Sequence, residues 1–363
     1  MIDINKLDEG TINLFILFVF VVIILMMGLY FYRVLRMDRN ECKYTDNLYN
    51  KSDSYINSIV DNAKAADYAL YDYYIKTAYN ACSGGGYKND FVNICHLKNV
   101  LKTGARCLDF EIYSVNNRPV VSTSTADNFH VKETYNSVDF ADVISTIQYY
   151  AFSDHSPNKN DPILLHLRIK SNNIKIYKAM TDIMKNCPYM IGKDYNYENN
   201  GYNIGSEPLK KFKGKILLIV DKSNDTFMND DGFYEYVNLT SNSVFMRSYK
   251  YKDVKETADA DEIIRYNKTR MSIVVPDVGP EPPNPNGLLA REAGCQMIAM
   301  RYQNPDTLFQ ENTSFFDKCG YAFCLRPERL RQIPVTIRPP VPQKPSLSYA
   351  TRDISSNFYK FQI

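Results

Sequence analysis

The sequence predicts an α/β fold, a distorted (β/α)8 barrel carried behind one N-terminal transmembrane helix. Three observations carry that reading. Eight apolar runs of strand length recur after residue 60, helical patterns lie between most of them, and Leu14–Tyr32 holds no charge, amide or proline. Strands alternating with helices imply a mainly parallel sheet, and eight of them suggest closure. The 363 residues, 45% hydrophobic and 23% charged, suit a folded globular chain. Lys+Arg 43 against Asp+Glu 41 removes any bulk electrostatic case for nucleic acid as a partner.

Residues 1–11 form a short N-terminal tail, and 12–32 the transmembrane helix. As a helix, Leu14–Tyr32 spans about 28 Å, close to the hydrocarbon thickness of a bilayer. A cleaved signal peptide fits poorly, because the preceding segment is acidic (Asp3, Asp8, Glu9) and no small-residue cleavage site follows. Arg33, Arg36, Arg39 and Lys43 follow the span, so the positive-inside rule puts the N-terminus outside and the rest in the cytoplasm. Sequons such as those at Asn238 and Asn267 argue the reverse only if they carry glycans. Residues 33–60 are polar and read as a juxtamembrane linker.

Strand runs are Tyr73–Ala78, Cys107–Tyr113, Pro119–Ser124, Ile163–Ile169, Lys215–Val220, Met271–Val275, Cys295–Tyr302 and Tyr321–Leu325. Helical spacing appears at Phe91–Leu101, Phe140–Ile147, Asn173–Met184 and Phe309–Lys318. Only Ser114–Arg118 joins the second and third runs, too short for a crossover helix, so that pair is expected to be antiparallel. The stretch 61–220 makes one half of the barrel and 270–333 the other. The polar 221–269 reads as an insertion between them, and the proline-rich tail 334–363 as extended chain. Eight cysteines, none in a C-x-x-C pair, read as reduced thiols in apolar surroundings. Four histidines, His96, His130, His155 and His166, leave little material for imidazole chemistry.

Several phrases add a family. The chain reads Tyr79-Asn80, Gly104-Ala-Arg-Cys-Leu-Asp109-Phe-Glu111, Pro119-Val-Val-Ser-Thr123-Ser, Lys213-Gly-Lys-Ile-Leu, Ala293-Gly-Cys-Gln296 and Phe315-Phe-Asp-Lys-Cys-Gly320-Tyr. In that order they resemble the X-box and Y-box of the phosphoinositide-specific phospholipases C, over roughly residues 65–333. The resemblance implies a barrel of that type. It also implies that Tyr79 and Thr123 stand where the family has its two histidines, one a general base and one a general acid. A phenol near ~10 and an aliphatic hydroxyl do that work poorly at neutral pH.

By the same resemblance, a calcium site would use Asn80, Asp109, Glu111 and a glutamate on the strand Ile163–Ile169, where this chain has Arg168. Alternation places Asp109 and Glu111 on one strand face, and Leu164, His166 and Arg168 together on another. Arg168 is therefore expected to take the cation's place and pair with the carboxylates. No cofactor is expected, Ca2+ entering only if the degenerate set still binds it. The family's phosphate-binding lysines fall at Ile219 and Asp221, neither suited to an anion.

The reading is a membrane-anchored pseudoenzyme that binds or builds at a membrane surface. Composition and the stripped site resemble proteins of large DNA viruses, which implies a virion membrane. Partners are the bilayer through residues 12–32, phosphoinositide headgroups and a protein of unstated kind. Two alternatives stand beside it: an active phosphodiesterase with a rebuilt site using Tyr79, His130 or His155, and a module that binds phosphoinositides without hydrolysis.

Overall fold

The computed structural model describes residues 9–50, 55–126, 130–196, 201–333, 340, 344 and 350–363. An apolar stretch with no helix breaker begins α1 (Glu9–Tyr49), one unbroken helix of 41 residues. Strands and helices then alternate: β1 (Tyr73–Ala78), α2 (Ile94–Lys102), β2 (Cys107–Val115), β3 (Arg118–Ser122), β4 (Val138–Asp139), α3 (Phe140–Ala151), β5 (Ile163–Ile169), α4 (Ile174–Lys185) and β6 (Ile216–Asp221). The second half holds α5 (Asp231–Tyr234), β7 (Leu239–Ser241), β8 (Met246–Lys250), α6 (Tyr251–Lys255), α7 (Ala260–Asn267), β9 (Met271–Val275), α8 (Gly287–Glu292), β10 (Met297–Met300), α9 (Thr307–Cys319) and β11 (Phe323–Leu325).

Hydrogen-bonded neighbours run β7-β6-β5-β2-β1-β10-β9-β8, all parallel. A short turn joins the two outermost strands, where Ser243 N–H donates to Met246 O at 2.9 Å, so the sheet is a nearly closed barrel. Alternation divides the core. Leu108, Phe110 and Ile112 of β2 pack outward with Leu165, Leu167 and Ile169 of β5 beneath the helices. Cys107, Leu164, Leu217, Ile273 and Met297 fill the interior.

Two buried polar side chains tie the loops at the end where strands enter. Arg106 donates to Ala151 O (3.0 Å), Ser156 Oγ (2.8 Å) and Asn158 Oδ1 (2.8 Å). Gln296 donates to Tyr71 O, Asn267 O and Arg270 O and accepts from Ser272 N–H. Both belong to the phrases that carry the family resemblance.

Several expectations are corrected. Of the eight runs, Pro119–Ser124 gives β3, antiparallel to β2 as its short connection requires, and Tyr321–Leu325 gives β11, antiparallel to β1. Their places in the barrel go to β7 and β8, which lie inside the supposed insertion 221–269. These strands are short and carry Thr240, Ser241, Arg247 and Ser248, so no apolar run marks them.

Residues 33–49 are helix rather than linker. Val34, Met37, Asp38, Glu41, Cys42, Thr45, Leu48 and Tyr49 are its less exposed positions, at the three–four spacing of one face. That face lies against the barrel. Asn99 Nδ2 donates to Asp46 Oδ1 (2.7 Å), Asn93 Nδ2 to Asp38 Oδ1 (2.9 Å), and Tyr49 OH to Tyr302 O (2.5 Å).

Four cysteines are paired rather than reduced. Cys42–Cys95 joins α1 to α2, and Cys319–Cys324 joins α9 to β11, with Cα atoms 5.8 and 6.1 Å apart. Cys82, Cys107, Cys187 and Cys295 are buried free thiols. Spatial proximity made these pairs, and sequence spacing does not reveal it. Residues Gln332–Ile363 form a separate unit, in which β12 (Asp353–Ser355) and β13 (Lys360–Gln362) pair antiparallel. Most of the proline-rich stretch expected to be extended lies outside the described residues.

Candidate active site at the barrel mouth

The parallel register of β2 and β5 sets Asp109 beside His166 and Glu111 beside Arg168. All four side chains are buried, on the strand faces opposite those packed beneath the helices. Just past β1, Asn80 takes a φ of 44°, a left-handed conformation that asparagine tolerates. The turn brings Asn80 N–H to Asp109 Oδ2 (3.2 Å) and Nδ2 to Glu111 Oε1 (3.3 Å).

The Arg168 guanidinium sits in the middle. Its Nε donates to Asp109 Oδ1 (3.0 Å), Nη2 to Asp109 Oδ2 (2.7 Å) and Asn80 Oδ1 (3.1 Å), and Nη1 to Glu111 Oε1 (2.8 Å). His166 Nδ1 lies 2.7 Å from Asp109 Oδ1, and its Nε2 lies 2.9 Å from Ser241 Oγ. Tyr113 OH (2.6 Å), Ser124 N–H (3.0 Å) and Ser124 Oγ (3.3 Å) all donate to Glu111 Oε2.

Burial alone would raise the Asp109 carboxyl. The charge of Arg168, with hydrogen bonds from His166 and Arg168, outweighs it and holds that carboxyl well below the usual range. Burial works against the Arg168 charge too, but Asp109, Tyr79 and Glu111 raise its pKa beyond the ordinary arginine value. The pair is therefore locked in its ionised form. A guanidinium in this state neither exchanges protons nor accepts a ligand. Calcium needs six to eight oxygens, yet both Asp109 oxygens, both Glu111 oxygens and Asn80 Oδ1 already accept from N–H or O–H groups. The residues present do not fit the ion.

Tyr79 and Thr123 both reach the same residue, Tyr87. The Tyr79 ring lies under the Arg168 guanidinium at 4.5 Å and meets the Tyr87 ring edge-on at 5.6 Å. Thr123 Oγ1 donates to Tyr87 O at 3.2 Å. Burial pushes the Tyr79 phenol well above its ordinary pKa, only partly opposed by Arg168. Tyr87 is itself buried, with its N–H on Pro280 O (2.9 Å) and Arg301 over its ring at 5.0 Å. It thus touches both positions, Tyr79 through its ring and Thr123 through its backbone carbonyl. Sequence reasoning missed it, because Ser83-Gly-Gly-Gly-Tyr87 has no periodicity; its one signal was a large aromatic in a glycine loop.

Ile219 is buried in the barrel interior and offers no polar atom. Asp221 ends β6 and closes a local turn, accepting from Ser223 N–H (3.0 Å) and Asn242 Nδ2 (2.8 Å). It also lines a cavity of about 330 Å³ with His130, Arg168, Lys170, Ser223 and Asn224. His130 Nδ1 lies 3.1 Å from Lys170 O. His155, in the loop entering β5 at the opposite end of the barrel, packs at a tilt against Tyr149 and Tyr150. His130 is thus at the mouth and His155 is not.

Residues 66–222 match the family described as phosphatidylinositol-specific phospholipase C, X domain, and residues 227–329 match its Y domain. The human and rat proteins named 1-phosphatidylinositol 4,5-bisphosphate phosphodiesterase beta-4 are each 36% identical over 84 residues, 22% of this chain and 7% of theirs. The crystal structure of PLC21 from L. pealei superposes with a TM-score of 0.59 at 17% identity, covering 74% of this chain and 38% of that one. PLC21 from S. officinalis gives 0.58, with the same identity and coverage. The chain thus spans well under half the length of these relatives, and at such identity the structural likeness speaks for the barrel alone. With the X and Y matches together covering most of its length, the chain belongs to the phosphatidylinositol-specific phospholipase C family.

Proposed function

We propose that this protein is a catalytically silent phospholipase C barrel, held at a membrane by α1, that serves as a binding or structural component of that surface. The observation that carries the reading is the Arg168 guanidinium, paired with Asp109, Glu111 and Asn80 in place of a divalent cation. Two further features support it. Neither family histidine position holds an imidazole, and each lost acid or base is worth roughly 10²–10⁴-fold in rate. Tyr87 is packed against both of those positions, by its ring and its backbone carbonyl.

The apolar part of α1 is long enough to cross a bilayer. Arg33, Arg36, Arg39 and Lys43 favour a cytoplasmic barrel with the N-terminus outside. Asn238 and Asn267, two of the chain's sequons, are buried and bonded through their amides, so the folded barrel presents neither of these two for glycosylation. The two disulfides pull the other way, towards an oxidising compartment. Our reading is the cytoplasmic placement, in a virion membrane by the resemblance noted from composition.

Release of inositol phosphate from phosphatidylinositol and its 4,5-bisphosphate, by the full chain in detergent with and without Ca2+, tests the proposal. Turnover at background in both conditions is expected. Calcium-dependent turnover that Asp109→Asn abolishes would sink it. A second reading, headgroup binding without hydrolysis, draws on the 330 Å³ cavity beside His130 and Lys170. Flotation of the chain's barrel with vesicles that contain or lack phosphoinositides separates the two.

A further inference from the structure

Where α1 meets α2, a second group of side chains converges, away from the barrel mouth and independent of the reading given for it. Cys42 and Glu41 come from α1, Cys95 and His96 from α2. The ligand atoms of Cys42, Cys95 and His96 all lie within 4.8 Å of one another.

His96 is buried, and its tautomer follows from its neighbours. The Thr45 hydroxyl lies within donating distance of two carbonyls of its own helix, Glu41 O (3.1 Å) and Cys42 O (3.2 Å), so it accepts from His96 Nδ1–H at 3.1 Å. Nε2 is left with a bare lone pair, buried and without a hydrogen-bond partner.

Glu41 Oε2 is a second buried polar atom without a hydrogen-bond partner. Both orphaned atoms face the same small space, which exists because residue 84 is glycine. A Cβ there would lie 2.3 Å from His96 Nε2 and 2.6 Å from Glu41 Oε2.

We propose that in the reduced chain Cys42, Cys95, His96 and Glu41 hold a Zn2+ ion that clamps the membrane helix to the barrel. Two thiolates, one imidazole nitrogen and one carboxylate oxygen are the donor set of a four-coordinate zinc site. The Thr45 contact to Nδ1 orients the ring, as outer partners of zinc-bound histidines do. Disulfide and metal exclude each other. A phosphine reduces the Cys42–Cys95 bridge to two thiols and becomes the phosphine oxide, taking its oxygen from water while the two water protons go to the sulfurs. Zinc then displaces the two thiol protons. A reducing cytoplasm favours the metal-bound form, which removes the conflict between the basic flank and the cysteine pair.

The test uses the full chain in detergent, reduced with a phosphine without oxygen, loaded with Zn2+ alone and desalted. Atomic absorption is expected to find about one zinc per chain after reduction and background before it. Cys42→Ser and His96→Gln are each expected to lose the bound zinc. Cobalt(II) in its place should give the thiolate charge-transfer band and strong visible bands of a tetrahedral site, a readout independent of how the variants fold. Zinc retained equally by oxidised and reduced chains, or by wild type no better than Cys42→Ser, overturns the proposal, as does a cobalt spectrum without thiolate ligation.

Discussion

The two ends of the barrel have the same chemistry and opposite histories. At the strand-entry end, the terminal nitrogens of Arg106 and the amide of Gln296 donate to backbone carbonyls and loop side chains, and the family phrases around them are intact. At the mouth, Arg168 likewise spends its donors on Asp109, Glu111 and Asn80, but it stands where the resemblance calls for a carboxylate. A buried arginine bonded to several partners holds a fold wherever it is placed. On the function proposed above, a mouth rebuilt with one is a second structural end.

If so, cutting either arginine should hurt stability, and the mouth should suffer more because two carboxylates are left behind. Arg168→Gln is expected to cost about 4 kcal/mol, the range for removing one partner of a buried ion pair. Chemical denaturation of the full chain in detergent measures it. Millimolar Ca2+ should restore part of that loss by binding the vacated oxygens, and should leave the wild type unmoved. A calcium-stabilised wild type would break the comparison.

Arg106→Met should cost less, about 3 kcal/mol, because its hydrogen bonds go to carbonyls, an amide oxygen and a hydroxyl, and its charge serves one buried carboxyl, Asp161, against two at the mouth. Equal or greater loss than in Arg168→Gln would mean that the mouth pairing is worth less than its geometry suggests.

The junction between α1 and α2 gives a pH test. His96 has a folded pKa of about 4 against 6.5 in the free residue, so between those values the unfolded chain binds the extra proton. Stability then falls as pH drops through that window, by as much as about 3 kcal/mol. Subtracting the profile of His96→Gln isolates the effect from carboxyls titrating nearby. Asp109, also held low, adds its own loss only below the ordinary carboxyl range of ~4. The smallest expected effect is catalytic: Tyr79→His with Thr123→His should leave turnover at background, since Tyr87 and Arg168 still fill the mouth. Recovered inositol phosphate release would show that the histidines alone were missing.

The pairing at the mouth was legible because strand alternation is a local rule. Asp109 and Glu111 share parity on β2, as do His166 and Arg168 on β5, and parallel neighbours bring equal parities together. The rest depended on contacts without a periodic signature. Tyr87 reaches the site through a glycine loop, Ser241 through a three-residue strand, and Cys95 meets Cys42 across 53 positions. The continuation of α1 beyond the membrane was written in the sequence as Val34, Met37, Glu41, Thr45 and Leu48, but the charges between them masked the stripe.

Because α1 runs unbroken from the apolar stretch into its contacts with the barrel, there is no swivel between lipid and protein. Tyr30, near the end of that stretch, shares a hydrogen bond of 3.1 Å with Tyr135 on a barrel loop. With α1 placed across a bilayer as proposed, the loop bearing Tyr135 and the exposed Val131 sits at headgroup depth. On that placement the barrel rides on a stiff mast, so whatever docks on it meets the same face at the same distance from the bilayer every time.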